Sequence, residues 1–130
     1  MEREEFRAPG LAAPMSHYTD AVRAGDLLFV SGCIAVDGEG RLVGGDDVAA
    51  QARQVFANIG AILAAAGAGP SDVVKVTVFL TDVDDRPLVN PVRQEFFGDA
   101  RPASTLVEVS RLVLPDAKIE VEAVAIVPRA

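Results

Sequence analysis

The sequence predicts an α+β domain in which a six-stranded mixed sheet carries two helices on one face. Three observations lead there. Short stretches alternate apolar and polar residues with a period of two, as strands do. Two longer stretches repeat apolar residues at helical spacing. The stretches follow the order β-β-β-α-β-α-β-β, with strands and helices interleaved in the middle and strands alone at the ends. Two helices cover only one face of such a sheet, so the other face is expected to meet another subunit or stay wet.

The bulk properties bound the rest. At 130 residues the chain reads as one domain, 1–130, large enough to bury a core without staples. Hydrophobic residues make up 50 % but aromatics only 5 %, so the core is built from Val, Leu, Ile and Ala with Phe as large filler. The net charge of −7 disfavours phosphate backbones and anionic membranes, and no run of Lys or Arg forms a basic stripe. The single cysteine, Cys33, excludes an intrachain disulfide and fits a reducing compartment. The charged start M-E-R-E-E-F-R lacks a signal-peptide core, and no apolar run reaches the ~18 residues of a membrane span. A soluble, cytoplasmic protein is expected.

In chain order, Met1 to Met15, with Pro9, Gly10 and Pro14, reads as a short edge strand or arm followed by a loop. Ser16 to Val22 is a loop or short strand. Asp26 to Val36, rich in Leu, Phe, Val and Ile, is a strand with a kink at Gly32. Asp37-Gly38-Glu39-Gly40 is a turn, and Arg41 to Val43 returns as a short strand. Asp46 or Asp47 caps a helix over Val48 to Ala66, whose buried stripe is Val48, Ala52, Val55, Ile59, Ile62, Leu63 and Ala66. Gln51, Arg53, Gln54 and Asn58 fall largely off that stripe. Gly67 and Gly69-Pro70 end the helix. Asp72 to Thr81 is a strand with Val74, Val76, Val78 and Leu80 on one face. A polar turn at Thr81 to Asp85 leads into a helix over Pro87 to Phe97, with Pro91 expected to distort it or shift its start. Gly98 ends that helix, Arg101 to Val109 is a strand, and Leu112 to Ala117 is a loop.

The last strand, Lys118 to Val127, is the most informative stretch. Ile119, Val121, Ala123, Ala125 and Val127 share a wholly apolar face. Lys118, Glu120, Glu122, Val124 and Ile126 share the other. Acids beside branched aliphatics suggest a face that meets a partner or lines a cleft, which makes Glu120 the first candidate for chemistry.

Six stretches in order resemble one family across nearly the whole chain: H-Y-T-D-A-V-R-A-G-D-L-L-F-V-S-G, Q-A-R-Q-V-F-A-N-I, D-V-V-K-V-T-V-F-L-T-D, N-P-V-R-Q-E-F-F-G, R-P-A-S-T-L-V-E-V and I-E-V-E-A-V-A. They are similar to the RidA (YjgF/YER057c/UK114) family of reactive-intermediate deaminases. The resemblance implies a chorismate-mutase-like fold and a homotrimer with sites in the clefts between subunits. It also implies hydrolysis of imines or enamines to carbonyl products and ammonia, with no cofactor and no metal. On it, Glu120 is the catalytic carboxylate, and Tyr18, Ser31, Gly32 and Asn90 are substrate-binding. Three departures stand out. The arginine that follows Pro-Ala in deaminating members is Ser104 here, the usual Gln after Ser-Gly is Cys33, and the usual Pro before Tyr18 is His17.

Two readings follow. In the first, the chain is a deaminase of a 2-imino acid or a less acidic analogue. Glu120 orders a water and stabilises a cationic imine, while Ser104 and Thr105 stand where a guanidinium would clamp an anion. Losing such a clamp costs about 2–5 kcal/mol for an unchanged anionic ligand. In the second reading the same scaffold binds a small molecule without turning it over. Cys33 is counted with the substrate-binding residues, a nucleophile only if a base or a positive neighbour activates it and otherwise a small buried strand residue, and His17 and Arg101 stand as further candidates, His17 because an imidazole can serve as acid or base. Each also has a plainer reading: Ser104 and Thr105 as strand residues, His17 as a loop residue in water, Glu120 as an interface acid.

Overall fold

A computed structural model describes residues 2–128. The ends of the expected 1–130 domain, Met1 and residues 129–130, lie outside the described residues. The elements are β1 (Arg3–Phe6), β2 (Ala21–Ala24), β3 (Leu27–Cys33), α1 (Val48–Ala65), β4 (Val73–Leu80), α2 (Arg86–Phe97), β5 (Ala103–Glu108) and β6 (Ile119–Ile126). They form one mixed sheet of order β1-β2-β3-β6-β4-β5, in which β4 and β5 run parallel and the other neighbours antiparallel. The α+β class and the element order agree with the expectation.

Strand β6 lies inside the sheet because it pairs on both edges, with β3 and with β4. Its apolar face, Ile119, Val121, Ala123 and Ala125, is almost completely buried. Helix α1 covers that face. The side chain of its cap, Asp47, accepts from the Ala50 amide at 3.1 Å. The stripe of Val48, Ala52, Val55, Ile59, Ile62 and Leu63 is buried as the periodicity requires. Helix α2 joins through three rings: Phe56 of α1 lies 5.0 Å from Phe96 and 5.7 Å from Phe97. Each large apolar side chain so buried contributes roughly 1.5–3 kcal/mol.

The second face of the sheet is open. Leu27 and Ile126 pair across it, as do Phe29 and Val124, and Phe79 lies beside Val107. Leu27, Phe29, Val107 and Ile126 are each at least 38 % exposed. A row of large apolar side chains left in water is the mark of a surface that meets a partner.

The structure corrects three local expectations. Arg41 to Val43 is not a strand: one bridge, Val36 to Leu42, is all that forms. The Asp37 carboxylate takes the amides of Glu39 and Arg41, closing a tight turn that leaves no ladder to build. In β4 the pairing slips between Val73 and Lys75, so Val73 is buried and Val74 is 40 % exposed. Gln51 and Asn58 are buried, not peripheral. The Gln51 amide donates to the carbonyls of Gly45 and Asp116 and accepts from the Lys118 amide. Asn58 donates to the carbonyls of Ile34 and Val36. These side chains satisfy loop backbone that has no strand to pair with. Helix α2, by contrast, continues through Pro91 from a start at Arg86.

Gln51 therefore fastens the approach to β6 onto α1. Gln51→Leu is expected to lower unfolding free energy by about 2–4 kcal/mol, because it orphans buried backbone groups. Urea denaturation checks this; a loss under 1 kcal/mol would show that water replaces the amide at little cost.

Candidate active site

The site begins with an irregularity in β3. Val30 pairs with Ala123 and Cys33 with Val121, so three steps along β3 match two along β6. The extra residue makes a bulge at Ser31-Gly32. A methyl group on Gly32 would lie 2.5 Å from Oε2 and 2.9 Å from Cδ of Glu120. The missing side chain is what lets the carboxylate rest on the bulged backbone. Glu120 projects from the open face of β6, beside Phe79 of β4. It is half-buried and makes no hydrogen bond or ion pair among the described residues. Desolvation raises its pKa above the ordinary carboxylate value, and the neighbouring Glu122 adds to the effect.

This carboxylate borders a cavity of about 500 Å3. The walls come from the Leu11 to Ser16 loop, Tyr18, the Ser31 to Cys33 bulge, Ile34, Val36 and Ile62. The chain just after this loop is fastened to the bulge. Ser31 donates its hydroxyl to the Thr19 carbonyl at 2.6 Å and its amide to the Asp20 carbonyl at 2.9 Å. Buried Asp20 in turn accepts from the Ala8 amide and pairs with Arg7. Tyr18 stands half exposed at the rim, its phenol oxygen accepting from the Met15 amide at 3.3 Å. Burial, with Asp20 and Glu120 nearby, pushes the Cys33 thiol up to about 12. Cys33 is therefore a neutral wall residue and not a nucleophile at neutral pH.

The remaining candidates lie elsewhere on the chain. Asn90 and Arg101 border a groove of about 670 Å3 between the C-terminal part of α2 and the entry to β5. Ser104 and Thr105 point to opposite faces of β5, as adjacent strand residues must. Ser104 sits opposite Val76 on the helix side and accepts from the Arg93 guanidinium at 2.8 Å. Thr105 sits opposite Thr77 on the open side and accepts from the Lys75 ammonium at 2.7 Å. His17 is exposed and borders neither space. One chain thus brings Tyr18, Ser31, Gly32, Cys33 and Glu120 together, and holds Asn90, Arg101 and Ser104 apart from them. Among the described residues no cluster of three His, Cys, Asp or Glu side chains is placed to hold a metal ion.

Sequence reasoning missed Asp20 and Arg93. Nothing in the local pattern marks Asp20 as a buried anchor. Arg93 had a signal, since it stands three residues after Asn90 and so on the same side of the helix. Burial lowers its pKa from the ordinary guanidinium value, though it stays charged at neutral pH.

Comparison with known proteins agrees with this architecture. The family model described as Endoribonuclease L-PSP matches residues 9–127. A RutC family protein of Pyrococcus horikoshii is 48 % identical, over 86 % of this chain and 88 % of its own. A 2-iminobutanoate/2-iminopropanoate deaminase of Salmonella typhimurium is 42 % identical, over 92 % and 91 %. The crystal structure of Escherichia coli TdcF with bound serine superposes with a TM-score of 0.87 at 34 % identity, covering 95 % of this chain and 98 % of that one.

The raised pKa of Glu120 has a signed consequence. The folded protein binds this proton more tightly than the unfolded chain, so ionising the group costs stability. The favourable contribution is complete below the unfolded value near 4.5 and is lost as the pH rises through the folded value. Glu120→Gln is expected to melt higher than the parent at pH 7, with the gap closing as the pH falls below that value. Thermal melts across this range check it, and a gap independent of pH would contradict the assignment.

Proposed function

The chain belongs to the endoribonuclease L-PSP (RidA/YjgF) family, and from that premise we propose that it hydrolyses a reactive imine or enamine to a carbonyl compound and ammonia. The observation that carries this reading is the unpartnered Glu120 carboxylate, resting on Gly32 at the edge of a largely apolar cavity. A carboxylate with no internal partner is free to take a proton, and its raised pKa makes it a better base.

The chemistry then runs in two steps. Glu120 accepts a proton from a water whose oxygen bonds to the iminium carbon, while the C=N π pair moves to nitrogen. The resulting carbinolamine takes that proton back on nitrogen, the C–N bond breaks, and the hydroxyl becomes the new carbonyl. The proton released from it leaves with ammonia as ammonium, and Glu120 is restored. The negative charge of Glu120 also stabilises the cationic iminium. Water and one carboxylate suffice, so the reading invokes no cofactor.

We place this site in a homotrimer, in the clefts between subunits. The apolar open face supports association. So does the division of the candidate residues into two sets that one chain leaves apart: a second copy approaching along edge strand β5 brings Asn90 and Ser104 toward another copy's Glu120. The net charge of −7 favours a small molecule over RNA as the ligand, although the family is named for an endoribonuclease. No described helix is long and apolar enough to cross a membrane.

The test is ammonia release from freshly generated 2-iminobutanoate and from less acidic imines. Glu120→Ala is expected to lower the rate by about 10²–10⁴-fold, and an unchanged rate would end the assigned role. Gly32→Ala displaces the flexible end of the Glu120 side chain, so it is expected to cost about 10²-fold in rate with little change in melting temperature. Binding without turnover by the parent protein would favour the non-catalytic reading that Ser104 motivates.

A further inference from the structure

Arg93 is a partly buried cation of the site region whose charge no acid answers among the described residues, whereas Arg101, on the same groove, is exposed to water. The Arg93 guanidinium is half-buried, and among the described residues it forms no ion pair. Its single hydrogen bond goes to an uncharged acceptor, the Ser104 hydroxyl, at 2.8 Å. A guanidinium carries five N–H donors in a planar fork, so four remain. Holding a desolvated cation without a counter-charge is unfavourable, and the cost falls when an anion docks. Burial depresses the Arg93 pKa, the expected sign of an uncompensated cation.

The surroundings suit a small carboxylate. Arg93 and Asn90, one helical turn apart, border the same groove, so an amide donor stands beside the fork. The Ser104 hydroxyl holds one edge of the fork, which limits the rotamers left to the side chain. Asp99 also borders the groove, but it makes no ion pair with Arg93. Strand β5 is an edge of the sheet, open on its far side to a second copy.

We infer that Arg93 is the carboxylate-binding residue of the site, reaching from α2 across the Ser104 hydroxyl to hold the acid group of a 2-imino acid. This rests on the proposed site between copies, in which Glu120 of one faces α2 and β5 of another. It narrows the substrate class to imines bearing a carboxylate. Ser104 becomes a positioning residue that steadies the fork.

Binding and turnover separate this inference from the reading beneath it. The probes are 2-oxobutanoate, the stable product of 2-iminobutanoate hydrolysis, and its uncharged amide, titrated calorimetrically into the full-length protein. The parent protein is expected to prefer the acid. Arg93→Ala is expected to weaken acid binding about 10- to 100-fold, with amide binding changed less than about threefold. Arg93→Lys keeps charge but not the fork and falls between. Arg86→Ala, an equal charge change on the same helix, leaves the acid affinity unchanged. No preference for the acid in the parent, or equal effects of Arg93→Ala on both probes, would overturn the inference. Melting curves exclude misfolding of the variants. Should the parent bind the acid through Arg93 yet release no ammonia from 2-iminobutanoate, hydrolysis is what fails, and the role of Arg93 stands.

Discussion

Everything in this fold depends on β6 being hydrogen-bonded along both edges. A strand paired on two sides cannot slide or twist away, and α1 pins its apolar face from above. Glu120 therefore leaves a rigid backbone at a fixed height in the sheet. The bulge in β3 supplies the complementary half of the arrangement. One extra residue bends that strand, and a glycine at the bend clears room for a carboxylate. Rigidity under the acid and a gap beside it are two results of the same pairing.

A different logic holds the cavity walls. The Leu11 to Ser16 loop belongs to no sheet, and the chain on either side of it is tied down by side chains. Ser31 reaches up to Thr19, and Asp20 reaches across to Arg7 and Ala8. Gln51 and Asn58 do the same for the segments around Asp116 and Ile34. Each is a polar group, buried in Asp20, Gln51 and Asn58 and partly buried in Ser31, whose partners stabilise irregular backbone that would otherwise leave amides and carbonyls unpaired. The apolar core supplies bulk stability, and these few amides and acids supply loop shape.

This division explains what could be read in advance. Period-two and helical spacing reflect burial on one face, so the strands, the α1 stripe and the two-faced last strand were legible. So was Glu120, an acid out of keeping with its aliphatic neighbours. The β4 slip at Val73 was not legible, because a run of consecutive valines fits either register. The buried places of Gln51 and Asn58 were hidden for a related reason: polarity suggests solvent until the loop that needs the amide is known. The role of Ser104 as an acceptor was not legible, since the cation it meets comes from another element. Side chains that act across elements carry no local pattern.

The placement of β5 at the rim of the sheet has one more consequence. It has a single ladder, to β4, and among the described residues no strand pairs beyond it. Exchanges at Ser104 or along the outer turn of α2 leave the buried layer untouched, whereas any change at the central acid disturbs the middle of the sheet. On such a scaffold the rim can change what it touches while the acid at the centre keeps its place.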